Sequence, residues 1–235
     1  MKVSVERGDL LKAMSRAQSI VERRTTIPIL ANVLIDASAG ALHLRTTDLD
    51  IEVVDKVVAN VEQEGTTTVG AHTLYEIVRK LPDGCSIQLM SDNVSSRLEV
   101  LAGRSRFSLA TLPRDDFPVM ASSEYECNFS IDSQILRRLF DKAKFAMSTE
   151  ETRYYLNGVY FHIAEIDSKK FLRTVATDGH RLAQIDGMPP ENSETMPGII
   201  IPRKTVSELR IILESNDNEI AVSVSETKVR FATSE

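Results

Sequence analysis

The sequence predicts an α+β protein of two tandem domains, in which helices lie on one face and antiparallel sheets on the other. Three observations lead to this prediction. The chain of 235 residues repeats itself. Four segments with helical apolar spacing each follow a short strand-like run, and the segments between them alternate with a period of two. Each domain is therefore a doubled unit of strand, helix and strands, and a sheet must cover one face of each helix pair.

Composition and charge narrow the class of protein. The hydrophobic share of 42% and the charged share of 26% are typical of a globular chain and exclude a disordered one. The longest apolar runs are too short to cross a membrane, and Lys2 and Glu6 stand where a signal peptide would be apolar. The two cysteines, Cys85 and Cys127, have no CxxC spacing. We therefore expect a reduced, cytoplasmic protein without a membrane partner.

The internal repeat sets the domain limits. When the first copy is laid on the second, apolar positions match apolar positions: Val3 with Phe129, Leu10 with Leu136 and Val21 with Met147. The boundary falls in the polar stretch 121–124. We expect domain one over residues 1–121 and domain two over residues 126–235.

Four helices are predicted from apolar residues that recur at spacings of three and four. Capping residues or a preceding proline mark where they begin. The predicted starts, in chain order, are Asp9, His72, Asp132 and Arg203. The turn residues Pro82, Asp83 and Gly84 end the second helix.

Strands are predicted where apolar and polar residues alternate. Three of them follow the second helix, at residues 87–90, 97–101 and 106–112. Only two equivalents follow the fourth helix before residue 235. We therefore expect domain two to lack its closing strand.

Asp178 and Gly179 form a two-residue turn signal, which predicts a hairpin with His180 and Arg181 at the start of the next strand. An alternative is acid–base chemistry by Asp178, His180 and Arg181 on a phosphorylated small molecule. The first copy has Asp-Leu-Asp at this place, residues 48–50, and no His-Arg pair. That difference favours a binding feature of the second domain over catalysis.

Motifs of catalysis and metal binding are missing from the sequence. It contains no GxxxxGK[ST], GxGxxG, GxSxG or HExxH motif, and its four histidines share no metal spacing. We expect no catalytic residue, no metal and no cofactor.

Charge is unevenly distributed along the chain. The four helical windows are net basic, although the whole chain has a net charge of -6. If the helices face one way, that side is positive and suits a polyanion. The alternative is that Lys and Arg, as good helix formers, decorate a solvated face. Arg153, Tyr154 and Tyr155 form a second patch that could stack on bases or touch phosphates, or else lie at a strand edge.

Taken together, the motifs resemble the bacterial DNA polymerase III β subunit family, the sliding clamps. The motifs that carry the resemblance are residues 26–32, 47–49, 103–109, 153–158, 176–183 and 202–204. The resemblance covers essentially the whole chain. It implies three domains per full-length chain, of which the third is absent here, and two chains that close head to tail into a ring with helices lining the hole.

The resemblance also implies the function and the partners. The ring would encircle duplex DNA without reading its sequence and give the replicative polymerase processivity, with no chemistry of its own. Its protein partners would be the DNA polymerase III catalytic subunit, the clamp loader and other proteins with a clamp-binding motif. We expect a head-to-tail homodimer for the full-length protein and mainly a monomer for these 235 residues.

Three groups of site residues follow from the resemblance. The DNA-binding residues are Arg24, His72, Glu150, Tyr154 and Tyr155, although the family often has a basic residue and a glutamine at the positions of His72 and Glu150. The peptide-binding residues are Arg153, Leu156, Thr177, Gly179, His180, Arg181 and Leu182. The dimer-interface residues are Arg104, Arg106, Phe107 and Leu109. The rival hypotheses are the small-molecule enzyme described above and a scaffold protein that binds no nucleic acid.

Overall fold

The computed structural model describes residues 1–22, 25–91, 96–120, 124–150, 152–214 and 218–233. The chain divides into two compact units, Met1–Met120 and Ala121–Glu235. Both units combine helices with antiparallel sheets, which confirms the predicted α+β class. No helix in the described ranges is long and apolar enough to span a membrane.

The first unit contains two helices and nine strands within its described residues. In chain order these are β1 (Lys2–Glu6), α1 (Arg7–Ile20), β2 (Asn32–Ser38), β3 (Ala41–Thr47), β4 (Glu52–Val58), β5 (Asn60–Gln63), β6 (Gly65–Gly70), α2 (Ala71–Lys80), β7 (Ser86–Ser91), β8 (Arg97–Ala102) and β9 (Ser105–Leu112). The strands form one antiparallel sheet in the order β4-β3-β2-β6-β9-β8-β7-β1-β5.

Strand β9 joins the two halves of this sheet. It pairs with β8 from Ser105 to Ala110, but with β6 only through Thr111 and Leu112. The Thr68 hydroxyl strengthens the short contact, because it donates to the Leu112 carbonyl at 2.8 Å and accepts from the Leu112 N–H at 3.2 Å. No described strand pairs with the other backbone edge of residues 105–110, so that edge is open.

One hydrophobic core holds the first unit together. Helix α1 buries residues at spacings of three and four, namely Leu10, Ala13, Met14 and Ala17, and α2 buries Leu74 and Val78. These side chains join the inward residues of the sheet in a single cluster. The helices therefore share one face of the sheet, as the sequence predicts.

The second unit repeats the plan within its described residues. Its elements are β10 (Cys127–Asp132), α3 (Ser133–Ala143), β11 (Gly158–Ile166), β12 (Lys169–Thr177), β13 (Leu182–Gly187), β14 (Ile199–Pro202), α4 (Arg203–Glu214), β15 (Glu219–Val224) and β16 (Val229–Ala232). They form two sheets, β10-β15-β16 and β13-β12-β11-β14. These correspond to the halves β1-β7-β8 and β4-β3-β2-β6 of the first unit.

Two predicted helix starts have different outcomes. Asp132 is confirmed as a cap of α3, because its Oδ1 accepts from the N–H groups of Gln134 and Ile135 at 2.9 and 3.0 Å. Asp9 is wrong as the cap of α1, which begins at Arg7 without a side-chain cap. The physical reason is that β1 runs directly into the helix, where the Arg7 N–H donates to the Cys85 carbonyl at 3.0 Å. A backbone partner replaces the cap.

The start of β11 requires a glycine at its first position. A Cβ on Gly158 would lie 2.6 Å from the Ile201 carbonyl oxygen, which belongs to the neighbouring strand β14. We therefore expect Gly158→Ala to lower the free energy of unfolding by about 1–3 kcal/mol, because the strand pair must separate. Denaturant unfolding measures the change.

Gly8→Ala is the matched control. No atom lies within 4 Å of a Cβ built at Gly8, in the first turn of α1. This variant should raise the free energy of unfolding by up to about 1 kcal/mol, because alanine favours helix. If both variants had the same unfolding free energy as the unmodified chain, the close approach at Gly158 would be refuted.

Candidate functional site

The turn between β12 and β13 is wider than the sequence predicts. Thr177 pairs with Leu182, so residues 178–181 form a four-residue loop. His180 and Arg181 lie in this loop, and the prediction that they begin the strand is wrong. The cause is side-chain hydrogen bonding: Oδ1 of Asp178 accepts from the N–H groups of His180 at 2.9 Å and Arg181 at 3.0 Å.

The same turn occurs in the first unit. Oδ1 of Asp48 accepts from the N–H groups of Asp50 at 3.0 Å and Ile51 at 2.8 Å. The residue after each aspartate has a left-handed backbone, with φ of 84° at Leu49 and 90° at Gly179. The turn is thus a general feature of this fold, which weighs against acid–base chemistry as its purpose.

Asp178 is held as a carboxylate. The backbone N–H groups of His180 and Arg181, and the Arg181 guanidinium at 2.9 Å, lower the pKa of Asp178 from 3.8 to about 2. A carboxyl group with so low a pKa has no proton to donate at neutral pH. Its role in this arrangement is to fix the turn.

A loop beside this turn carries the other predicted site residues. It runs from Ser148 to Asn157, and Glu151 within it lies outside the described residues. The Ser148 N–H donates to the Leu156 carbonyl at 3.0 Å, and the Leu156 N–H donates to the Arg153 carbonyl at 2.8 Å. Residues 153–156 therefore form a turn, and the alternative that Arg153, Tyr154 and Tyr155 lie at a strand edge is wrong, because β11 begins at Gly158.

The loop and the turn lie side by side. Nη1 of Arg153 is 3.7 Å from the position of a Cβ on Gly179. Leu156 is half-buried, whereas Leu182 keeps 63% of its surface exposed. Together the two segments bring apolar side chains next to charged ones, and we call the seven predicted peptide-binding residues and their backbone the loop–turn surface.

Phe145 also borders the loop–turn surface, although no motif of the sequence indicates it. The Arg181 guanidinium carbon lies 5.6 Å from the centre of the Phe145 ring, and this ring is 57% exposed. Phe145 lies in a short 3-10 turn, Lys144–Ala146, that continues α3. Its exposure follows from its position along the helix, because residue 145 comes two turns after the exposed Arg138 and lies on the same face, opposite the apolar stripe.

The predicted DNA-binding residues have varied environments. Arg24 lies outside the described residues. The side chain of His72 makes a hydrogen bond within its own unit, since its Nε2 lies 3.1 Å from the Val21 carbonyl oxygen. Glu150 forms an ion pair with Arg153 at 3.0 Å. Tyr154 and Tyr155 are exposed by 79% and 55%, and their rings meet edge to face with centres 5.5 Å apart.

Several basic side chains on and beside α3 and α4 form ion pairs with carboxylates. Burial by itself would raise the pKa of Asp141, but Lys144, Arg210 and Arg137 outweigh it and hold the pKa below its usual value. Glu214 accepts from Arg210 at 2.9 Å and from Arg137 at 3.3 Å. Arg138 and Lys142, one turn apart on α3, are exposed and have no ion-pair partner among the described residues.

The predicted dimer-interface residues lie on and beside the open edge of β9. Phe107 and Leu109 are half-buried against the core of the first unit. Arg106 pairs with Glu99 at 2.8 Å, and Arg104 is exposed in the turn before β9. Phe107 also lines a cavity of about 550 Å³ between β9 and α2, which Ile77 borders from the helix side.

Comparisons with known proteins agree on one family. A model of the DNA polymerase III beta subunit N-terminal domain matches residues 1–121, and a model of its central domain matches residues 130–235. The beta sliding clamp of Caulobacter vibrioides is 50% identical over 231 residues, which cover 98% of this chain and 62% of the relative. The beta sliding clamp of Escherichia coli K12 is 39% identical over 231 residues, with 98% of this chain and 61% of the relative covered.

Solved structures give the same result. A structure of Caulobacter crescentus pol III beta has a TM-score of 0.95 and 50% identity, and the match covers 98% of this chain and 63% of that one. A DnaN sliding clamp from Bartonella birtlesii, bound to griselimycin, has a TM-score of 0.95 and 48% identity, with 99% and 62% covered. The chain thus spans less than two thirds of the length of these relatives.

The carboxyl of Asp178 provides a direct test of the turn. Because its pKa is lowered in the folded state, its ionised form stabilises the fold above the usual value of 3.8, and this contribution is lost as the pH falls through about 2. Carbon-13 NMR of the carboxyl carbon should show a titration midpoint near 2. Asp178→Asn, as the control, should lack that step, and a midpoint at or above 3.8 would contradict the hydrogen-bonded turn.

Proposed function

The chain belongs to the bacterial DNA polymerase III β subunit family, the sliding clamps, and from this we propose that it forms part of a ring that encircles duplex DNA and holds replication proteins there. Members of this family are processivity factors and not enzymes. We propose the two units as the first two domains of such a clamp. Its place of action would be the cytoplasm, where it would meet the chromosome.

The exposed cations of the helices support the DNA part of the proposal. Arg138 and Lys142 on α3 and Lys12 on α1 are exposed and form no ion pair within the described part of the chain, although the chain as a whole is acidic. Phosphate contacts of this kind are independent of sequence and allow sliding. The exposed rings of Tyr154 and Tyr155 would add a surface for bases or sugars. Arg24, His72 and Glu150 remain proposals for DNA contacts from the family resemblance.

The loop–turn surface supports the partner part of the proposal. Leu156 and Leu182 would supply apolar contacts for a peptide, and Arg153, His180 and Arg181 would supply charge at its rim. The occupants would be the polymerase III catalytic subunit, the clamp loader and other proteins with the clamp-binding motif. An enzyme that acts on a phosphorylated small molecule at the same turn is not supported, because the turn recurs in the first unit without the His-Arg pair.

The open edge of β9 supports ring closure. Residues 105–110 can accept a strand from a second chain through their free backbone groups, with Phe107 and Leu109 as apolar contacts beside it. We propose a head-to-tail homodimer for a full-length clamp, in which a third domain supplies the partner surface. On this proposal the 235 residues alone would be mainly monomeric in solution.

Duplex binding tests the DNA part. Replacing both Arg138 and Lys142 with alanine should weaken binding of any duplex sequence, because phosphate contacts are lost. The slope of log affinity against log salt should fall by about 0.9 for each contact removed. Fluorescence anisotropy with two unrelated duplexes measures both quantities, and Arg24→Ala should change them in the same direction.

The matched control removes the same charge from the sheet. Lys169 and Lys170 are exposed on β12, so the double alanine variant has the same net charge as the variant on α3. This control should keep the salt slope of the unmodified chain. Equal salt slopes for the α3 variant and the β12 variant would contradict the proposed phosphate contacts of α3. A difference in affinity between the two duplexes would contradict sequence-independent binding.

Peptide binding tests the partner part. Leu156→Ala and Leu182→Ala should each lower the affinity for a Leu- and Phe-containing clamp-binding peptide by roughly fivefold or more, because each removes an apolar contact. Amide chemical shifts during the titration measure the affinity and should move at Leu156, Thr177 and Leu182. Griselimycin, the molecule bound to the Bartonella birtlesii clamp, is a second probe.

Leu49→Ala is the control for this titration. Leu49 is an exposed leucine in the corresponding turn of the first unit, and its loss should leave the affinity unchanged. Shifts confined to the first unit, or none in the second at millimolar peptide, would reject the loop–turn surface as the peptide site.

A further inference from the structure

The loop from Ser148 to Asn157 carries residues of both proposed sites. Tyr154 and Tyr155 belong to the proposed DNA contacts, whereas Leu156 belongs to the loop–turn surface. Whatever fixes the ends of this loop therefore acts on both sites at once.

One residue holds both ends of the loop. Nη1 of Arg203 donates to the Ser148 carbonyl at 3.1 Å and lies 3.5 Å from the Met147 carbonyl oxygen, at the entrance. The backbone N–H of Arg203 donates to the Asn157 carbonyl at 3.1 Å, at the exit. Between them, the Ser148 N–H closes the loop on the Leu156 carbonyl at 3.0 Å.

Arg203 is itself held firmly. It is the first residue of α4, and Pro202 before it pairs with Gly158 in the ladder between β14 and β11. Its side chain is half-buried, and the residues whose carbonyls it approaches, Met147 and Ser148, are buried. Hydrogen bonds from a charged guanidinium to such carbonyls are stronger than neutral ones and are costly to lose.

The first unit has a comparable contact. Nε2 of His72, the second residue of α2, lies 3.1 Å from the Val21 carbonyl oxygen, where the chain leaves α1. Because a carbonyl can only accept, this ring nitrogen carries the proton. In both units a residue at the start of the second helix thus binds a carbonyl just after the first helix.

We infer that Arg203 is a positioning residue, which fixes the loop from Ser148 to Asn157 and thereby supports duplex binding and peptide binding together without touching a phosphate. The inference rests on the proposed function for the two ligands. It assigns to Arg203 a role through the loop, and it assigns to His72 a comparable role where the sequence predicts a DNA contact.

The test compares Arg203→Gln, Arg203→Lys and Arg210→Gln in the full chain. Arg210 lies on the same helix but pairs with Asp141 and Glu214, away from the loop, so its variant is the control. The loss of the guanidinium contacts in Arg203→Gln should speed hydrogen exchange at the Ser148 amide. The same variant should also lower the affinity for a random-sequence duplex and for the clamp-binding peptide, each by roughly three- to tenfold.

The salt slope separates positioning from direct contact. Arg203→Gln should keep the salt slope of the unmodified chain, whereas loss of a direct phosphate contact would reduce it by about 0.9. Arg203→Lys should restore part of both affinities, because an ammonium group on the shorter lysine side chain can still donate to a carbonyl but cannot reproduce the position of Nη1. The lysine variant also keeps the test valid if the glutamine variant folds poorly, which circular dichroism would reveal.

The outcomes are distinct. Unchanged exchange at Ser148, unchanged affinity for either ligand, or a reduced salt slope would overturn the positioning role. An unmodified chain that bound neither ligand would overturn the proposed function instead, and the exchange measurement would then decide only whether Arg203 holds the loop.

Discussion

Each unit depends on one constraint: two short helices must bury their apolar stripes against antiparallel strands, which form one sheet in the first unit and two in the second. Helices of 14 and 10 residues, such as α1 and α2, are marginal on their own, so packing supplies most of their stability. Burial of Leu10, Met14 and Leu74 fixes the rotation of both helices about their axes. The polar residues of a helix pair are then left to its outer side, and this is how a chain with a net charge of -6 can present cations on its helices.

Ion pairing then decides which of those cations are available. The carboxylates Asp141 and Glu214 bind two cations of α3 and α4 and a third in the 3-10 turn after α3, and they connect the two helices. A pair that is half exposed contributes little stability, but it removes its cation from any competition for phosphate. Arg138 and Lys142 escape this pairing. A count of basic residues along the helices therefore overstates the charge that a polyanion would meet.

Local sequence patterns predicted most of the fold. The errors arise from contacts between residues that are far apart in the sequence. Apolar periodicity located the helices and the repeat, and the cap at Asp132 is a local signal. The start of α1 was missed because the partner of the Arg7 N–H is Cys85, far away in the chain. In the candidate site, the residues came from the resemblance, but the hydrogen bond of His72 and the place of Phe145 depend on packing that no local pattern contains.

The two copies of the Asp turn show how one backbone conformation accepts two different residues. Leu49 adopts a left-handed backbone in the first unit, which costs an L-residue about 1–2 kcal/mol. Gly179 avoids that cost in the second unit because it has no Cβ, and the Arg153 guanidinium lies beside it, with Nη1 at an ordinary contact distance of 3.7 Å from the position of a Cβ. The left-handed position of the turn is thus strained in the first unit and unstrained in the second, where the turn lies against the loop that carries Arg153.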